Sequence, residues 1–101
     1  MKKELLMKIL NQEGKEIENL DLGIVEAGTS KEYEFQLYND SSAETVDLKV
    51  VIPNKEVEVL EFPKKLDSKA KGILKIMWSP SITLKQGLKT VVKINGAELY
   101  K

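Results

Sequence analysis

The chain has 101 residues, of which 42% are hydrophobic and 32% charged, and its 16 basic residues, all lysine, balance 16 acidic residues. It has no cysteine and no histidine, which excludes disulfides, zinc–thiolate sites and acid–base catalysis by imidazole. The charges are dispersed, so no basic stripe favours nucleic acid or an anionic membrane. This composition predicts one globular domain spanning 1–101.

The first residues predict a strand and not a targeting signal. Lys8 interrupts the apolar residues near the start, and no small-residue cleavage pattern follows, so we expect synthesis in the cytoplasm without a signal peptide. No apolar run approaches the ~20 residues that span a membrane. We predict a strand over Leu6–Leu10, a turn at Asn11–Lys15 and a return strand beginning near Ile17.

A short apolar strand, Leu20–Val25, and a long alternating strand, Lys31–Tyr38, come next. Gly23 inside the short strand suggests a bulge or a close backbone approach, and Gly28–Ser30 forms the turn between the two. The long strand has one apolar and one charged face, as a half-buried strand requires. Its predicted inward residues are Tyr33, Phe35 and Leu37.

Asn39–Ser42 is a polar segment whose side chains favour bonds to their own backbone. Together with Glu44 it offers several oxygens that suit calcium, but it lacks the spaced acidic ligands of a dedicated calcium loop. We therefore predict a plain turn and no metal site.

Three further strands follow from alternation: Thr45–Ile52, Val57–Phe62 and Ile73–Trp78. The apolar phase of Val57–Phe62 slips at Val59-Leu60, which suggests a bulge or a strand that changes sheets. The predicted inward residues of the first of these strands are Val46, Leu48, Val50 and Ile52.

The final alternating segment, Leu88–Ile94, ends at Asn95-Gly96, a dipeptide typical of tight turns. We expect Ala97–Tyr100 to pair back briefly after that turn. Seven or eight short strands, with turn chemistry between them and no helical pattern, predict an all-β antiparallel sandwich.

Three segments in this order resemble the ASH/MSP-like group of immunoglobulin-like domains. They are Leu20–Gly28, the alternating strand Lys31–Asn39, and the strand Leu74–Pro80, which ends in tryptophan, serine and proline. The resemblance covers roughly Leu20 to Ile94, and residues 1–19 have no counterpart in it. It implies an immunoglobulin-like β-sandwich used as an adhesive or scaffolding module in large assemblies such as cilia, surface proteins and phage particles. It brings no catalytic residues with it.

The residues with catalytic potential are better explained as surface or core. Glu32 and Glu34 share one strand face, and such pairs are typical of the solvated side of a sheet. The serine and threonine hydroxyls have no imidazole to activate them. Trp78 lies in phase with the apolar residues of its strand, so we predict a core position and not a carbohydrate platform. We predict no enzymatic activity, no catalytic residues, no cofactor and no metal.

Contact with partners is therefore the expected role, and three features offer candidate contact residues. Tyr38, Met77 and Tyr100 lie out of phase with the core. Lys64 and Lys65 belong to a basic loop suited to an acidic partner. The segment Met1–Ile17, outside the resemblance, is a candidate arm with Leu6 and Ile9 as its contact residues.

We predict a non-enzymatic structural or interaction module in a larger assembly, in particular a virion component such as a phage decoration or tail accessory protein. Its expected partners are other proteins or copies of itself, with no nucleic acid and no membrane. The alternative is an adaptor domain that binds a peptide by adding it to an open strand edge. A hydrolase or carbohydrate-binding protein ranks third, because the alternation gives no sign of a cleft with converging carboxylates.

Overall fold

The computed structural model describes residues 7–99, which form an all-β antiparallel sandwich, as the sequence predicts. This range contains nine strands, where the sequence predicted seven or eight. The N-terminal return strand is a short strand of its own, and the last long segment is divided into two strands at Val92. No helix in this range has the length and hydropathy needed to cross a membrane. The strands are β1 (Met7–Leu10), β2 (Glu16–Ile17), β3 (Asn19–Gly23), β4 (Lys31–Asn39), β5 (Glu44–Val51), β6 (Val57–Glu61), β7 (Lys71–Trp78), β8 (Leu88–Val91) and β9 (Lys93–Leu99).

One layer is a five-stranded sheet in the order β2-β1-β4-β7-β6, and the second layer holds the β3–β8 and β5–β9 pairs. Within the first layer the order β1-β4-β7-β6 is the A-B-E-D order of immunoglobulin-type sandwiches. The described part of the candidate arm Met1–Ile17, residues 7–17, is the predicted hairpin, and its first strand pairs with β4 along its whole length. The hairpin therefore belongs to the sheet.

The core lies between the layers and is built by the predicted alternation. Leu37, Leu74, Ile76 and Trp78 from the first layer are almost fully buried against Leu20 of the second. Burying a large apolar side chain contributes about 1.5–3 kcal/mol each. Tyr33 and Phe35 pack against this core from its margin, and the Tyr33 hydroxyl donates a 2.6 Å hydrogen bond to the Leu22 carbonyl.

The inward face of β5 differs from the prediction in its first half. Thr45 is buried and Val46 only half-buried, because a bulge shifts the register with β9 between Val46 and Lys49. Asp47 takes a positive φ of 52° in that bulge, a conformation that aspartate tolerates better than most residues. Leu48 and the residues after it face inward as predicted.

The prediction of a turn at Asn95-Gly96 is wrong, since both residues lie inside β9. Gly96 lies opposite the β5 bulge instead. A Cβ there would lie 3.1 Å from the Leu48 Cδ2 atom and 3.1 Å from the Val46 carbonyl oxygen. The predicted bulges at Gly23 and Leu60 are confirmed by shifts of register in the β3–β8 and β6–β7 pairs.

The buried side chain of Asn39 ties together the loops at one end of the sandwich. Its Nδ2 donates to the carbonyls of Ala43, Leu66 and Asp67 at 2.9, 3.0 and 3.1 Å. Its Oδ1 accepts from the backbone N–H and the hydroxyl of Ser41. The polar segment after β4 is thus a turn organised by one amide that is 1% exposed.

A second close contact joins the turn before β8 to the end of β3. Gly87 has φ of +76°, and a Cβ on it would lie 2.8 Å from the Gly23 carbonyl oxygen. Gly14, in the β1–β2 turn, has a similar φ of +84° with open space around it. The two glycines therefore share a backbone requirement and differ in packing.

Replacing Asn39 with aspartate should destabilise the fold by about 3 kcal/mol, because carboxylate oxygens would face the carbonyls of Ala43, Leu66 and Asp67 in place of the amide that donates to them. Urea denaturation measures this loss. Asn19→Asp, at an exposed strand start, is the control and should change stability little. An Asn39→Asp variant as stable as the wild type would contradict the role of the amide.

Gly87→Ala should destabilise the fold by roughly 2 kcal/mol more than Gly14→Ala. Both pay the ~1–2 kcal/mol cost of a left-handed backbone, but only Gly87→Ala forces β3 and β8 apart. Thermal unfolding of the two variants gives the difference. Equal losses would show that Gly87 is required only for its φ.

Candidate functional site

The structure separates the predicted contact residues. Tyr38 and Met77 are half-buried on the outer face of the five-stranded sheet. Tyr38 is paired with Lys71 on β7, six residues from Met77, so the two side chains stand roughly 20 Å apart along the strand direction. They do not form one patch.

The remaining candidates lie elsewhere. Lys64 and Lys65 are exposed beyond β6, where the Lys64 carbonyl accepts a hydrogen bond from Leu48 of β5. Ile9 is 6% exposed and belongs to the core, so it is not available for surface contact. Leu6 and Tyr100 lie outside the described residues.

The strand β9 offers a different candidate, an edge without a neighbour. Within residues 7–99 its hydrogen-bonded strand partner is β5 alone, and its second edge has no strand against it over Lys93–Leu99. Unpaired backbone N–H and C=O groups in a row are a template for another extended chain. The bulge in the pair lies in β5, so β9 itself remains regular.

Other edges carry features that discourage pairing. β2 is two residues long, and β3 and β6 contain bulges. The outer edge of β5 is partly covered, because Thr45 exchanges hydrogen bonds with Leu66. Short length, bulges and covering segments are the usual protections of edge strands. Within residues 7–99, β9 has no bulge and is seven residues long.

A cleft of about 350 Å³ with a mixed lining of apolar and charged side chains lies beside the start of β9. It lies between the β1–β2 hairpin with Glu18 on one side and Val92 and Ile94 on the other. Ile9 is buried in it, whereas the other four apolar side chains are half-buried. The apolar lining is Met7, Ile9, Ile17, Val92 and Ile94.

Three charged residues, Lys8, Glu16 and Glu18, also line the cleft. The Lys8 ammonium lies 3.3 Å from Glu16 and 3.2 Å from Asp40, and Asp40 also pairs with Lys69 at 3.0 Å. The hydrogen bond to Asp40 raises the pKa of Lys8 most, and the hydrogen bond to Glu16 raises it further. For Asp40, the hydrogen bond from Lys69 lowers the pKa most, and the hydrogen bond from Lys8 lowers it further. Glu16, Lys8, Asp40 and Lys69 thus form a chain of ion pairs with no net charge.

The geometry of the cleft suits contact with a partner. Over residues 7–99 no three acidic side chains gather as they would to hold a metal ion. The Ser30 and Ser79 hydroxyls hydrogen-bond to each other at 2.7 Å on the exposed surface. The sequence placed Val92 and Ile94 on one face with Leu88 and Thr90, which is correct, but gave no sign that part of this face is uncovered.

Comparison with protein-family models, with characterised proteins and with solved structures gives no match for this chain.

The stability contributed by Asp40 should disappear in acid. Its pKa lies below the ordinary value of 3.8 in the fold, so the contribution is present above that value and is lost as the pH falls through the lowered pKa. Lys8, whose pKa is raised from the ordinary 10.5, stays protonated throughout this acid range, so the ion pair is lost there through protonation of Asp40. The stability difference between wild type and Asp40→Asn should therefore be constant from about pH 5 to 9 and shrink below about pH 4.

Urea midpoints at several pH values measure this difference. Glu26→Gln is the control, because the Glu26 side chain is exposed and has no ion pair in the described part of the chain. A difference for Asp40→Asn that stays the same at pH 2 would contradict the ion-pair assignment.

Proposed function

We propose that this protein is a non-enzymatic interaction module in a larger assembly and that it docks a partner by adding an extended segment to the free edge of β9. The observation that supports the proposal is the coincidence, within residues 7–99, of a seven-residue strand that pairs on one edge only with a cleft at its start that is lined by five apolar side chains and three charged ones. An edge alone offers hydrogen bonds to any chain, whereas an adjacent cleft distinguishes one side chain from another.

The added strand has two sources of affinity. Its backbone forms a ladder with β9, and its alternate side chains point into the cleft, since successive side chains of a strand face opposite sides. Val92 and Ile94 are spaced to contact two such inward side chains. Each one that becomes buried contributes on the order of 25 cal/mol per Å² of apolar surface.

The A-B-E-D order of the first layer supports the resemblance to ASH/MSP-like domains, which stays a prediction. So does the more specific proposal of a virion component. Both agree with a domain that works through contact, and strand addition joins copies of one chain or different proteins equally well. Light scattering over a concentration series separates these two kinds of partner.

Val92→Thr should weaken binding of a peptide of alternating valine and threonine about fivefold, because a hydroxyl replaces a methyl group on the cleft wall. Val91→Thr is the matched control. Val91 is the preceding residue, 47% exposed, and the same substitution there should leave the affinity unchanged.

Fluorescence anisotropy with a labelled peptide measures both affinities, and amide chemical shifts locate the site. The expected shifts cluster on β9 and the β1–β2 hairpin. Shifts on the outer face of the five-stranded sheet around Met77, or equal affinities for the two variants, would contradict docking at β9.

A further inference from the structure

The charges around the cleft select the chemistry of the segment that fills it. Glu16, Lys8, Asp40 and Lys69 form a continuous chain of ion pairs with distances of 3.3, 3.2 and 3.0 Å. Two carboxylates and two ammonium groups cancel, so this chain presents no net charge to a partner.

Glu18 is left over. It is exposed in the single-residue connection between β2 and β3 and lines the cleft, and it has no ion pair in the described part of the chain. The next residue, Asn19, pairs with Val91, so Glu18 lies level with Val92 at one end of the cleft. The lining thus combines five apolar side chains with one carboxylate, Glu18, that has no ion pair within residues 7–99.

Resting on the proposed function, we infer that the partner segment is an extended strand with apolar side chains at alternate positions and a lysine or arginine at the end beside Val92. Its apolar side chains fill the cleft over Met7 and Ile17, and its cation pairs with Glu18. An acidic residue at the same position would face the Glu18 carboxylate. Complementary charge at the rim of an interface selects among partners more than it adds affinity.

The test uses acetylated and amidated nonapeptides of alternating valine and threonine that carry either one lysine or one glutamate. One pair has the charge at the amino end and another at the carboxyl end, so that both strand directions are sampled. Affinities for wild type and Glu18→Lys are measured by anisotropy at low and high salt. Glu58→Lys, at an exposed position on β6 far from the cleft, is the control.

Wild type should bind the lysine peptide of one pair about threefold more tightly than its glutamate counterpart, in keeping with an exposed ion pair. Glu18→Lys should reverse this preference, Glu58→Lys should keep it, and about 1 M salt should abolish it. Equal binding of both peptides by wild type, or an unchanged preference in Glu18→Lys, overturns the charge inference while strand addition stands. Failure of every peptide to bind overturns strand addition as well.

Discussion

The buried amide of Asn39 is the interaction on which the arrangement of the second layer depends. Its contacts with the carbonyls of Ala43, Leu66 and Asp67 hold the loop after β4 against the segment that follows β6. That segment in turn exchanges backbone hydrogen bonds with Thr45, which fixes β5, and β5 is the strand that holds β9. An unsatisfied amide or carbonyl at this depth costs far more than a single hydrogen bond contributes, so the loops have one favoured arrangement. The position of the open edge is a consequence of that arrangement.

The edges of the sandwich differ in how they are closed to other strands. The Tyr33 hydroxyl reaches across the layers to the Leu22 carbonyl, and burial raises the pKa of Tyr33, so the phenol keeps the proton that it donates. Bulges interrupt β3 and β6, and β2 is very short. Such features protect a sheet against unwanted pairing. Within residues 7–99, β9 is instead a regular strand of seven residues that pairs on one edge only, and the proposed function uses its other edge.

Electrostatics acts locally in a chain with no net charge. Long-range attraction of a charged partner is weak under these conditions, and selection falls to the few groups around the cleft. Lys8 joins the balanced chain of ion pairs through Glu16 and Asp40, which leaves Glu18 to distinguish one partner strand from another. In the proposed complex, the apolar side chains of the cleft contribute affinity and Glu18 selects the charge of the partner strand.

By itself the sequence determined the fold class, most strand positions, the inward faces of β4 and β7, and the bulges at Gly23 and Leu60. These are local consequences of side-chain alternation and backbone sterics. Only the tertiary structure decided that Asn95-Gly96 continues a strand, because Gly96 is required by Leu48 across the sheet and not by a turn. It also decided that the N-terminal hairpin is part of the sheet and that, within residues 7–99, β9 pairs with β5 alone. Alternation shows which face of a strand is apolar, but which strand lies beside it depends on residues far away in the chain, and no local pattern records that choice.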